Sequence, residues 1–167
     1  MMINSQIAVS LIIIIFIYII LQFFIVYHLK NRFKVKSGPP IGKCISELEI
    51  LDVNRNKVKL NNVLKKGKNL ILFVDMDCDH CNKIIDSLKL MNSSVLSEIQ
   101  FLLADTGENL KGVKEKNIDA NFYFLNEEEI FVNLNIKGFP FYIEADNNNV
   151  IEKKGYASSN VIIEYLV

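Results

Sequence analysis

The chain has 167 residues, half of them hydrophobic, with 19 basic and 19 acidic residues and a formal net charge of zero; that suits one globular domain with an adequate core, not two. The charges are unevenly placed: Lys30, Arg32, Lys34 and Lys36 precede every acidic residue, the first of which is Glu47, so 15 basic residues face 19 acidic ones from Ser37 onward. This excludes the basic, clustered surface that nucleic-acid binding needs, and the Lys/Arg cluster is better matched to lipid headgroups.

Residues 7–27 form the first predicted element. These 21 residues contain no charge, and Ser10 and Gln22 are the plainly polar breaks. At about 1.5 Å per residue a helix of this length spans roughly 30 Å, the hydrocarbon thickness of a bilayer. A secretory signal would have a shorter apolar run, positive residues before it and a small-residue cleavage site after it. The expectation is a retained single-pass anchor, with residues 1–36 as anchor and basic stalk. Cys44, preceded by Ile41-Gly42-Lys43, does not resemble a lipid-attachment site. Two arguments oppose each other on orientation. Lys and Arg near a span tend to stay cytoplasmic, and all four lie on its C-terminal side. A tethered dithiol, described next, is most useful where disulfides persist, outside the cytosol. An extracytoplasmic domain is the expectation.

Ser37-Gly38-Pro39-Pro40 reads as a stiff linker opening a domain over 37–167. Leu48–Val53 and Lys57–Leu60 alternate apolar and polar residues around Asn54-Arg55-Asn56, which predicts a β-hairpin. Asn61 or Asn62 is placed to cap a short helix ending at Gly67. Leu70–Val74 is a continuous apolar run, expected of a central strand buried on both faces. Cys78-Asp79-His80-Cys81 follows immediately and opens a helix-like run over Asn82–Met91. One turn brings positions i and i+3 onto one face, and the free N–H groups of the first turn stabilise the first sulfur as a thiolate. Two such thiols can close and reopen a disulfide. The same spacing also arises by chance, or as half of a zinc site, for which the remaining candidates are Cys44, His80 and the distant His28.

Further along, Ile99–Ala104 is strand-like, Glu108–Lys116 helix-like, Asn121–Leu125 a short strand and Glu127–Leu134 an acidic-started helix. Phe139–Glu144 and Val150–Lys153 form a second hairpin around Asn147-Asn148-Asn149, and Ser158 or Ser159 caps a terminal helix. Alternating strands and helices predict an α/β fold with a largely parallel sheet covered on both faces.

These residues resemble the thioredoxin superfamily, and more closely its membrane-tethered branch, the TlpA/ResA-type and MauD-type thiol–disulfide proteins. The likeness rests on the anchor, Gly38–Gly42, Asn56–Leu60, Leu70–Cys81, Gly138-Phe139-Pro140 and Gly155-Tyr156. It implies a thioredoxin-like fold, a central mixed sheet flanked by helices, carrying an N-terminal hairpin. It implies Cys78 as the attacking sulfur and Cys81 as the buried resolving one. Pro140 would be a cis proline beside the disulfide, with Gly138 and Phe139 pairing with an extended substrate segment. On the residues alone, Pro140 reads first as a strand-edge proline after a Gly turn, since cis is a small minority of X-Pro bonds. Leu72 stands where thioredoxin proper has a buried acid, and Asp77 where many relatives have an aromatic or small residue.

His80, beside Cys81, favours the Cys78 thiolate and hence an oxidising disulfide, whereas Asp75, Asp77 and Asp79 oppose it. About 30 mV corresponds to about 1.4 kcal/mol, so one or two such neighbours set the direction. Cys44 has three readings: a small buried hydrophobe, an intermolecular partner or a third metal ligand. The expected function is disulfide exchange with a protein substrate and a redox partner protein, without cofactor or resident metal. A copper or zinc delivery module using Cys78, Cys81 and His80, and an inert thioredoxin-like interaction domain, are the alternatives.

Overall fold

A computed structural model describes residues 2–32, 36–90, 96–116 and 118–166. The chain divides into two units, Met1–Lys36 and Ser37–Val167. The first holds one helix, α1 (Met2–Arg32), 31 residues long. Its segment Val9–Val26 is apolar on every side and long enough to cross a bilayer.

The second unit is built on a seven-stranded sheet. Its strands are β1 (Glu49–Leu51), β2 (Lys57–Lys59), β3 (Asn69–Val74), β4 (Ile99–Ala104), β5 (Asn121–Leu125), β6 (Phe141–Ala145) and β7 (Ile151–Tyr156). They lie in the order β2-β1-β5-β4-β3-β6-β7. Only β3, β4 and β5 run parallel; β1 joins β5, and β6 joins β3, in antiparallel fashion. The sheet is therefore mixed, as the thioredoxin-like resemblance implies, and not largely parallel as the alternation of strands and helices alone predicts. The hairpins β1–β2 and β6–β7 each attach to one side of the three-stranded parallel centre. Among the described residues the sheet is accompanied by the helices α2 (Asp79–Lys89), α3 (Gly107–Lys116) and α4 (Ser159–Leu166).

Every residue of β3 and β4 is buried. In an extended strand alternate residues share a face, so Leu70, Leu72 and Val74 point together. They form one core with Phe101 and Leu103 of β4, Cys81, Ile84, Ile85 and Leu88 of α2, Val113 of α3 and Ile162 of α4. The α2 residues fall at i, i+3, i+4 and i+7, the stripe that one helix face presents to a sheet. The dithiol thus belongs to the first buried turn of α2.

Several predicted details differ. α2 begins at Asp79, three residues before the predicted Asn82, with Cys78 as its N-cap. Residues 60–62 form a 3-10 turn in which neither Asn61 nor Asn62 caps. The predicted helix over 127–134 widens into a π-helical turn at Glu129–Asn133. Ser158 does cap α4, accepting the Val161 N–H at 3.5 Å. Met91, where the predicted α2 ended, lies outside the described residues.

Candidate active site

The site is assembled at the carboxyl end of β3, the edge at which open α/β sheets place their functional groups. β3 ends at Val74, and the next three residues make a tight connection into α2. The Asp75 carboxylate accepts the Asp77 N–H at 2.9 Å, and the Asp75 carbonyl accepts the Cys78 N–H at 3.2 Å. Between them, Met76 is held at both ends of its backbone. Its N–H donates to Asn109 Oδ1 at 2.8 Å, and its carbonyl accepts from Asn82 Nδ2 at 2.9 Å.

Asn109, only 1% exposed, sits in the first turn of α3. Its side-chain Nδ2 donates to the Ala104 carbonyl at 3.0 Å, and its own N–H donates to Thr106 Oγ1 at 3.1 Å. One side chain therefore ties the end of β4 to the loop before the dithiol. Gly112, one turn later, leaves room for Met76: a Cβ there would lie 2.8 Å from Met76 Cβ and Cγ.

Cys78 has extended backbone angles, φ −90° and ψ 114°, and its sulfur accepts the Cys81 N–H at 3.2 Å. This satisfies one of the otherwise unpaired donors of the first helical turn and directs that turn's partial positive charge at the sulfur. Cys78 is half-buried, whereas Cys81 is fully buried. Burial pushes the Cys81 thiol strongly up, since a thiolate there would lose its hydration. The adjacent Cys78 sulfur, within hydrogen-bonding reach, adds to that shift; the Asp75 backbone N–H works against it, and the Asp75 carboxylate adds to it. Leu72, at the position where thioredoxin proper has an acid, is wholly buried.

The opposite wall comes from the segment before β6. The Phe139–Pro140 bond is cis, and the Cys78 thiol points at the Phe139 carbonyl at 3.9 Å. The Pro140 carbonyl accepts the Ala157 N–H at 2.9 Å. Among the described residues, no hydrogen bond engages the Phe139 N–H. The Phe139 ring leans on Phe131, which the π-helical turn supplies, with ring centres 5.7 Å apart. A hollow of about 400 Å³ runs alongside, lined by His80, Lys83, Phe139, Pro140 and Tyr156 among others.

Of the residues singled out in the sequence, Cys78, Cys81, Phe139 and Pro140 converge. His80 is exposed on the wall of the hollow, and Gly138 faces the Tyr156 ring beside it. Asp77 and Asp79 are exposed, and Asp75 is half-buried. Cys44 is exposed, so its reading as a small buried hydrophobe is corrected. It sits in an isolated bridge to Val150, and its sulfur lies 3.2 Å from Ser46 Oγ and 3.7 Å from the Asn148 carbonyl. That hydroxyl lowers the Cys44 pKa. Among the described residues no three His, Cys, Asp or Glu side chains converge as metal ligands, so the donor set of a metal-delivery module is not gathered. The sequence reading missed Asn82, Asn109 and Phe131. Asn82 adjoins the motif and was open to notice, but the other two act across 33 and 8 residues with no local pattern.

A dithiol at the start of a helix, facing a cis-proline loop across the end of a mixed sheet, defines a thioredoxin-like fold. No protein-family model matches the sequence, and no curated protein does. Solved structures do match the fold. The thioredoxin domain of a thiol-disulfide oxidoreductase from Bacteroides vulgatus is 19% identical with a TM-score of 0.56, covering 77% of this chain and 99% of that one. A thiol:disulfide interchange protein from Bacteroides sp. is 21% identical with a TM-score of 0.58, covering 78% and 88%. The exposed lipoprotein thioredoxin of Streptococcus pneumoniae is 13% identical with a TM-score of 0.56, covering 71% and 96%.

Proposed function

We propose that this protein is a membrane-tethered thiol–disulfide oxidoreductase of the TlpA/ResA type, acting outside the cytoplasm on disulfides of a protein partner. The observation that carries the reading is the unlike pair of sulfurs. Cys78 is half-buried and held at the helix start by the Cys81 N–H, while Cys81 is buried behind it. The names of the structural relatives, an oxidoreductase and an interchange protein, support the same chemistry.

In the reducing direction the Cys78 thiolate attacks a partner disulfide. A Cys78–partner S–S bond forms and the partner's other sulfur leaves as thiolate. Cys81 then gives up its proton and attacks Cys78 Sγ, the mixed disulfide breaks, and the partner's second sulfur leaves. Two electrons have passed from the dithiol to the partner, and the same steps reversed oxidise a partner. Phe139 serves as the docking backbone, its N–H available to an extended segment. Lys83 carries positive charge on the wall of the groove, with the His80 imidazole beside it, and Asp77 and Asp79 are exposed on the segments flanking Cys78 in the chain. MauD-like maturation of a secreted protein is the pathway class this reading suggests.

The test is to express Cys81→Ser in its own cells and identify what is covalently bound to Cys78. A discrete protein adduct, abolished by adding Cys78→Ser, is the expected result. No adduct, together with no exchange by the purified wild type with any disulfide, would overturn the reading.

A further inference from the structure

Ser37-Gly38-Pro39, read from sequence as a linker separating stalk from domain, is buried in the domain itself. Ser37 is 4% exposed. Its hydroxyl accepts the Lys137 N–H at 2.9 Å and lies 3.4 Å from the Asn135 carbonyl as donor. The Gly38 N–H donates to that same carbonyl at 2.7 Å, and the Gly38 carbonyl accepts Lys154 Nζ at 2.9 Å. Gly38 has φ +81°, and a Cβ on it would collide with the ring of Phe141. These contacts gather on one stretch of chain. Residues 135–137 lead directly into Gly138, Phe139 and Pro140, and Phe141 is the first residue of β6 beyond them.

We propose that Ser37 and Gly38 are positioning residues of the dithiol site: the first residues of the folded domain brace the loop that sets Phe139 and Pro140 against Cys78. This rests on the exchange reading, because the loop matters to function only if a partner's backbone pairs with it. The bonding pattern fits a brace better than simple chain attachment. Ser37 spends both hydrogen-bonding capacities on residues 135 and 137, and both Gly38 backbone groups are engaged, although neither residue belongs to a strand or helix. A buried hydroxyl removed from such a position leaves the Lys137 N–H without a partner two residues before Phe139.

The experiment compares full-length wild type, Ser37→Ala and Ser37→Thr, reduced and in detergent, for exchange with two probes. Insulin must lay its chain along the Phe139 loop, whereas bis(2-hydroxyethyl) disulfide is too small to do so. Ser37→Ala is expected to lower the ratio of insulin rate to small-disulfide rate about tenfold, in keeping with the cost of misplacing a docking group. Ser37→Thr, which keeps the hydroxyl, should restore the ratio. An unchanged ratio, including one where both rates fall together, overturns the brace. Hydrogen exchange provides a second readout independent of activity. In Ser37→Ala and Gly38→Ala, peptides covering residues 136–141 should exchange faster while β3 and β4 keep wild-type protection. Protection unchanged beyond Lys137 overturns the proposal. A wild type inert towards both disulfides would sink the exchange reading alone, and the hydrogen-exchange result would still decide whether the brace exists.

Discussion

Two cysteines three residues apart have unlike chemistry because α2 gives them unlike surroundings. Cys78 ends the extended chain and caps the helix; Cys81 is the first residue of the helix's buried stripe. In the reduced protein at pH 8, iodoacetamide should modify Cys44 and Cys78 and spare Cys81 until denaturant is added, as read by peptide mass spectrometry. Equal labelling of Cys81 and Cys44 in the folded state would contradict the assignment. A pH dependence follows from the same burial. The folded-state pKa of Cys81 lies above the ordinary thiol value of 9.0. The fold therefore favours the protonated thiol, so this contribution to stability is intact below about pH 9 and is lost as pH rises further. The disulfide form has no such proton. The urea midpoint of the reduced protein should thus fall faster than that of the oxidised protein above about pH 9, and parallel curves would refute the shift.

Among elements, α3 has a role that its sequence does not announce. Its Asn109 bridges the end of β4 and the loop preceding Cys78, so Asn109→Ala leaves the buried Met76 N–H unpaired and removes one of the two donors to the Ala104 carbonyl, which keeps the Thr106 N–H at 2.9 Å. That should cost about 1–3 kcal/mol in urea unfolding and slow disulfide exchange as well, whereas Lys111→Ala on the exposed face of α3 should do neither. The contrast marks what was legible from sequence. The β1–β2 hairpin, β3 and the dithiol after it were readable because alternation, an unbroken apolar run and Cys spacing are local patterns. The start of α2 at Asp79, capped by the Cys78 sulfur, was not legible because cysteine is not a usual capping residue; the turn at Asp75–Asp77 brings that sulfur to the Cys81 N–H. The Asn109 clamp and the Ser37 contacts depend on partners 33 and 98 residues distant. No window along the chain contains both ends of such bonds. The sheet's mixed character came from the family resemblance and not from the alternation of elements, because strand periodicity fixes which face is buried, not the direction in which β6 returns beside β3.

For the whole molecule, an apolar helix and a domain bearing an exposed cysteine offer a direct topology test. In intact cells producing Cys78→Ser, a membrane-impermeant maleimide should label Cys44, whose pKa is lowered by the Ser46 hydroxyl. Labelling only after permeabilisation would place the domain in the cytoplasm, as the four basic residues following the helix suggest. The order of the sheet has one more consequence. Its two outer margins are β2, with Lys57 and Lys59 exposed, and β7, with Glu152 and Lys153 exposed. Charged side chains along a margin discourage neighbouring molecules from adding strand to strand. On the proposed reading, copies tethered side by side in a lipid plane would therefore resist coalescing through their sheets, and an arriving extended chain would find its invitation at the Phe139 amide, which no hydrogen bond among the described residues engages, next to the Cys78 sulfur.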